Sequence, residues 1–247
     1  PDYDVAGPVG GCRTADGGAS IDEKTNELTY VSYYAEEPVR IFFDEEAEQT
    51  NSILEGAFPG EIVRPVTWSK DRKKVVISVS SSSNPGDYYY FDKENMILTF
   101  LWDSSPWIDR SKLAKKEAIK YTARDGLVVH GYLTIPLGTD GKNLPMVVHP
   151  HGGPNARDTM RYDSYVQFMA NRGYVVFQPN FRGSTGYGAY HYISANKQFG
   201  KTMQDDITDG VNYLIDLGIA DPDRIAIFGG SYGGYATMAG LAFTPDL

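Results

Sequence analysis

Two short stretches hold residue types that can do chemistry together. In IFGGSYGGYATM, residues 227–238, one serine stands between pairs of glycines where an apolar run gives way to small residues. The segment GGSYG, residues 229–233, fits the G-x-S-x-G pattern, in which a serine on a sharp strand-to-helix turn lifts its Oγ clear of a sheet. Glycine two residues before and two after removes side chains that would collide with the adjacent strand and helix. A hydroxyl so placed can attack a carbonyl, and a helix N-terminus behind it favours the negative charge that develops. Ser231 is therefore the candidate nucleophile. Alone, the pattern also fits a glycine-rich turn with an incidental serine; the strand–turn–helix setting weighs against that.

The second stretch is HPHGGP, residues 149–154, directly after the apolar run LPMVVHP. Acyl transfer needs two or more N–H donors aimed at the carbonyl oxygen as it becomes an oxyanion. One is expected from the residue after the nucleophile, Tyr232. The other is expected from this glycine-rich loop, at Gly153. His151 sits inside the loop and is expected to brace it, not to act as the base. The four histidines (His130, His149, His151, His191) lack HExxH spacing, and the single cysteine, Cys12, excludes an internal disulfide and a thiolate metal site. No metal or other cofactor is expected.

The elements that must position these residues follow two patterns. From Glu27 to about Asp103, ELTYVSYY, VRIFFD, KKVVISVSSS, DYYYFD and MILTFLW are short β-branched and aromatic runs separated by turn residues. SSSNPGD at 81–87 is expected to break a strand at Pro85 and Gly86, and FDKEN to supply a hairpin turn. Residues 62–103 hold about four strands, near the length of a propeller blade; an antiparallel sandwich has similar spacing, and the pattern alone leaves both open. One helix is expected over about 44–55. After a connector, AIKYTARDG and LVVHGYLTIP form an expected hairpin at Asp125–Gly126. Then LPMVVHP, YVVFQPNF and RIAIFGG are almost wholly apolar, as strands buried on both faces of a parallel sheet are. Helices are expected between them, over about 158–172 and 202–217, stopped by Gly173 and Gly218. Met203, Ile207, Val211, Leu214 and Ile215 share one face of the second. Strands alternating with helices make an α/β domain.

The net charge of −9 is uneven: residues 1–118 hold 21 acids and 13 bases, residues 119–247 hold 11 and 10. Such a surface repels nucleic acid and anionic lipid, so neither is an expected partner. No run approaches the roughly 20 apolar residues of a membrane helix, and no leader is visible, so a cytoplasmic or periplasmic setting stays open. A homo-oligomer is compatible with the composition.

With these residues in view, the chain resembles the prolyl oligopeptidase family of serine peptidases, nearest its acylaminoacyl-peptidase and dipeptidyl-peptidase-like branch. The resemblance rests on PGDYYYFD (85–92), ARDGLVVHGYLTIP (123–136), LPMVVHPHGGP (144–154), NFRGSTGYG (180–188) and GGSYGGYATM (229–238), in family order over about 62–247. It implies an α/β fold: the first part of an α/β-hydrolase domain over 113–247, preceded by the last part of a β-propeller over 1–112. It also implies hydrolysis of short peptides through an acyl-enzyme at Ser231, with Tyr232 and Gly153 as oxyanion donors. Arg182 is expected in a structural ion pair, and Asp205 and Asp206 in structural or solvated roles.

The triad order in such folds is Ser, then Asp or Glu, then His. The sixteen residues after Ser231 contain one acid, Asp246, and no histidine. Asp246 follows the elbow helix too soon to be the triad acid. The expectation is a truncated chain, inactive alone, whose base and acid lie beyond Leu247. Two further readings remain open: an esterase of the same fold, and a non-catalytic propeller-containing interaction protein.

Overall fold

The computed structural model describes residues 17–22 and 25–245; Cys12 and Asp246 lie outside them. The first half is antiparallel. Strands β1 (Gly17–Ile21), β2 (Leu28–Tyr34) and β3 (Pro38–Phe42) form one sheet, and β4 (Ile62–Trp68), β5 (Lys74–Ser81), β6 (Asn84–Asp92) and β7 (Ile97–Asp103) form a meander in sequence order. Between them, α1 (Glu45–Ala57) starts at Asp44, whose carboxylate accepts from Ala47 N at 2.7 Å. Glu45, Glu46 and Glu48 in its first turn suit the positive end of the helix dipole. Alternate residues of β5, namely Val75, Ile77 and Val79, point inward and pack with Val63, Phe91 and Leu54 of α1.

The second half is a mixed five-stranded sheet. It contains β8 (Lys116–Thr122), β9 (Val128–Thr134), β10 (Leu144–Val148), β11 (Val175–Asn180) and β12 (Ala220–Ile227), in the order β12-β10-β11-β9-β8. β10 runs parallel to both β11 and β12, as the apolar runs suggested, and β8–β9 is the expected hairpin, antiparallel to β11. Helices α2 (Ser164–Ala170), α3 (Gly188–Ile193), α4 (Thr202–Asp216) and α5 (Tyr232–Phe243) complete it. Successive residues of β11 serve opposite faces. Phe177 and Val175 pack with Met203, Ile207, Val211 and Leu214 of α4; Val176 packs with Val166 and Ala170 of α2. β10 and β11 are therefore buried on their inward runs, as their apolar sequences suggested. β12, expected to be buried on both faces, is instead an edge strand, half-buried or exposed from Asp221 to Ile227.

Two further expectations need correction. The strand after Ser81 resumes at Asn84, so Pro85 and Gly86 lie inside β6. A register shift opposite Val79–Ser81 makes room for them, Asn84 Oδ1 accepts from Gly86 N at 3.0 Å, and Gly86 takes φ 142°, so the break becomes a bulge at the strand's start. The helix expected over 158–172 spans only Ser164–Ala170. Asn180 holds both backbone groups of Asp158, at 2.8 and 3.2 Å, and Asp163 caps the helix by accepting from Tyr165 N and Val166 N. Strand β1 and the short helix α3 were not anticipated.

The halves meet through backbone-directed polar contacts. Arg157 donates to Tyr34 O and Ala35 O at 3.1 and 2.8 Å, and Tyr132 OH donates to Glu36 O at 2.8 Å. Gln167 Nε2 donates to Ser82 O and Ala114 O at 2.8 and 2.7 Å. Among the described residues, no helix is long and apolar enough to cross a membrane.

Phe177 is fully buried between the sheet and α4, edge-on to Tyr121 at 5.9 Å. Phe177→Ala should lower unfolding free energy by about 3–5 kcal/mol, read as a shift of the urea midpoint. A shift within error of zero would show that this face is not the core.

Candidate active site

Ser231 lies between β12 and α5, exposed, with φ 55° and ψ −119°. Positive φ is uncommon for a residue with a side chain and costs on the order of 1–3 kcal/mol. It stands at the N-cap of α5, yet its side chain makes no capping hydrogen bond, which leaves Oγ available to a ligand.

The flanking glycines are dictated by space. A Cβ on Gly229 would lie 2.6 Å from the Gly233 carbonyl carbon, and one on Gly233 would lie 2.1 Å from Pro150 O. No side chain fits at either place. A Cβ on Gly230 would meet nothing within 4 Å, so the turn does not need that glycine for room.

The same packing brings the 149–154 loop against the elbow. A Cβ on Gly152 would sit 3.4 Å from Ser231 Cβ and 3.3 Å from Gly230 O. Gly153 follows, exposed, with φ 129°. Tyr232 is the first residue of α5, so its N–H is one of the helix's orphan donors. Its ring is buried against Phe181 and Phe199, at centroid distances of 5.1 and 5.0 Å, and burial pushes its phenol above the usual range. Ser231, Gly152–Gly153 and the start of α5 thus occupy one corner at the C-terminal ends of β10 and β12. A hydroxyl beside backbone donors can form an ester with an acyl group and stabilise the oxyanion on the way.

The histidines are engaged elsewhere. His149 Nδ1 is 2.7 Å from Phe228 O. His151 contacts Gly152 O through Nδ1 at 2.7 Å and Ser184 Oγ through Nε2 at 2.9 Å. His130 and His191 are buried, both in ring contact with Tyr187, and burial pushes His191 down to about 4. Among the described residues, no group of three or more His, Cys, Asp or Glu could hold a metal ion.

Arg182 anchors the loop after β11. Its Nε and Nη2 donate to Asp206 at 2.8 and 2.6 Å, and its backbone N–H donates to the same carboxylate at 2.9 Å. Nη1 and Nη2 also reach Asp125 at 2.7 and 3.0 Å. Asp206 is fully buried; desolvation raises its carboxyl, with Arg182 opposing. Asp205 instead joins Asp209 in pairing with Arg124. Sequence reasoning missed Phe181 and Ser184 as neighbours of His151, though both lie in the NFRGSTGYG run it had singled out.

A mixed sheet with helices on its faces and a positive-φ serine between strand β12 and its helix defines an α/β-hydrolase-type domain. Solved structures share that fold. A puromycin-hydrolyzing peptidase of Mycobacterium tuberculosis superposes with a TM-score of 0.69 at 24% identity, over 100% of this chain and 38% of that one. An acylaminoacyl peptidase of Pyrococcus horikoshii gives 0.68 at 22%, over 94% and 36%. Residues 160–247 match the sequence profile of the prolyl oligopeptidase family. Dipeptidyl aminopeptidase BIII of Pseudoxanthomonas mexicana is 38% identical over 200 residues, which cover 78% of this chain and 29% of that protein. Dipeptidyl peptidase family member 6 of Caenorhabditis elegans is 33% identical over 209 residues, covering 76% and 28%. The chain belongs to the prolyl oligopeptidase family, and it spans less than a third of the length of these two curated relatives.

Arg182→Met should cost about 3–5 kcal/mol at neutral pH, because it strands the buried Asp206 charge. The folded variant then holds a proton on Asp206 that the unfolded chain releases. Its deficit against the parent should therefore shrink as pH falls from 7 towards about 4. Urea unfolding at several pH values reads this; a deficit independent of pH would contradict the ion pair's role.

Proposed function

We propose that this chain carries the nucleophile and the oxyanion donors of a serine peptidase acting on short peptides, with release of aminoacyl, acylaminoacyl or dipeptidyl units. The observation that carries the proposal is the strained, uncapped Ser231 packed against the 149–154 loop. The names of the relatives support the substrate class, since they release dipeptides or acylated amino acids.

In this reading Ser231 Oγ attacks the acyl carbonyl and loses its proton to a general base. The carbonyl oxygen, now negative, takes hydrogen bonds from Gly153 N–H and Tyr232 N–H. The C–N bond then breaks, the amine leaves with the proton from the base, and an ester remains on Ser231 for water to cleave. His149 and His151 hydrogen-bond to other groups, and His130 and His191 are buried against Tyr187, so this reading takes the base and its orienting carboxylate from outside the described residues. Residues 113–247 would form part of the hydrolase domain. The four-stranded meander β4–β7 supports reading residues 1–112 as the end of a β-propeller.

A fluorophosphonate probe should label the intact protein that carries this chain, and Ser231→Ala should abolish labelling. Label persisting in the variant would overturn the assignment of the nucleophile. A correctly folded intact protein that never labels would instead favour a non-catalytic interaction protein.

A further inference from the structure

Both ring nitrogens of His151 have a polar neighbour, and the one at Nδ1 determines where a hydrogen sits. Nδ1 faces Gly152 O at 2.7 Å. A carbonyl oxygen only accepts, so Nδ1 carries the hydrogen. Nε2 faces Ser184 Oγ at 2.9 Å, and the ring stacks on Phe181 with centroids 4.5 Å apart at 17°. Desolvation holds the imidazole below its ordinary range; Asp158 pulls it up, and Arg157 and His149 push it down. The Ser184 hydroxyl has one hydrogen and donates it to Phe181 O at 2.7 Å, so its Oγ stands beside Nε2 without fixing the ring's protonation there. The hydrogen on Nδ1 follows from Gly152 O alone.

The consequence lies one peptide away. Gly152 O and Gly153 N belong to the same planar amide, in which C=O and N–H point in opposite directions. Whatever holds the oxygen aims the N–H. A hydrogen bond accepted by the carbonyl also polarises the amide and strengthens its N–H as a donor. Gly153 has φ 129° and no side chain to wedge it, so its amide needs an external clamp.

We propose that His151 is the positioning residue for the oxyanion donor: its Nδ1–H holds Gly152 C=O and so directs Gly153 N–H towards the carbonyl oxygen of a substrate at Ser231. This rests on reading Gly153 as an oxyanion donor.

The test uses the intact protein and two isosteres. Asparagine at 151 can place an N–H where Nδ1 stands; glutamine reaches further and mimics Nε2. With peptide substrates, His151→Gln should lower kcat on the order of 10- to 100-fold with KM little changed, within the loss expected for a misaimed oxyanion donor. His151→Asn should recover most of that loss. In 15N-histidine spectra, the signal lost in His151→Asn should show a protonated Nδ1. A bare Nδ1, equal losses in the Asn and Gln variants, or a loss confined to KM would each overturn the proposal. Failure of the parent protein to label at Ser231 would overturn the functional reading and the oxyanion role with it, even with the tautomer as described.

Discussion

The site depends on one backbone contact, where the start of α5 presses against the carbonyl of Pro150. Any Cβ on Gly233 would lie 2.1 Å from that oxygen, and any Cβ on Gly229 would meet the Gly233 backbone at 2.6 Å. Glycine at both places lets strand, loop and helix close to a distance no other residue allows. Ser231 is caught at the centre of the contact and takes its positive φ there. The strain is of order 1–3 kcal/mol. It is sustained because β12 is paired to β10 on one side of the turn and α5 packs on the core on the other.

The rest of the domain serves that contact. β10 and β12 are parallel and in register from Met146–Ile225 to Val148–Ile227, so the loops that leave them emerge at the same edge. This is where open α/β sheets place their ligands. β11, on the other side of β10, delivers Phe181 and Ser184 beside His151. The segment they occupy is tied down through Arg182 to Asp206 on α4 and to Asp125 in the β8–β9 turn. A buried charge pair gives little net stability; here it sets the position of a loop that touches His151 in the 149–154 segment.

Much of this was legible in the residues. The apolar runs of β10 and β11 marked strands buried in the sheet, and the spacing of Met203, Ile207, Val211 and Leu214 located the face of α4. The equally apolar run of β12 ends at the sheet's edge, which no local pattern tells. The elbow was legible because its glycines are required by contact, as at Gly229 and Gly233. Other features depended on partners distant in sequence. The helix expected from 158 is prevented by Asn180, which takes both backbone groups of Asp158. β6 keeps Pro85 and Gly86 because a shift in β5 absorbs them. Ser184 shows no sign of its role in the sequence, since its partner His151 lies 33 residues away. Local pattern reports what each segment prefers; long-range hydrogen bonds decide where it stops.

The most direct measurement is a crystal structure of the intact protein with a peptidyl phosphonate bound at Ser231. The account predicts a covalent Oγ–phosphorus bond and one phosphonyl oxygen within hydrogen-bond distance of both Gly153 N and Tyr232 N. Attachment at another residue, or a phosphonyl oxygen turned away from both amides, would contradict it.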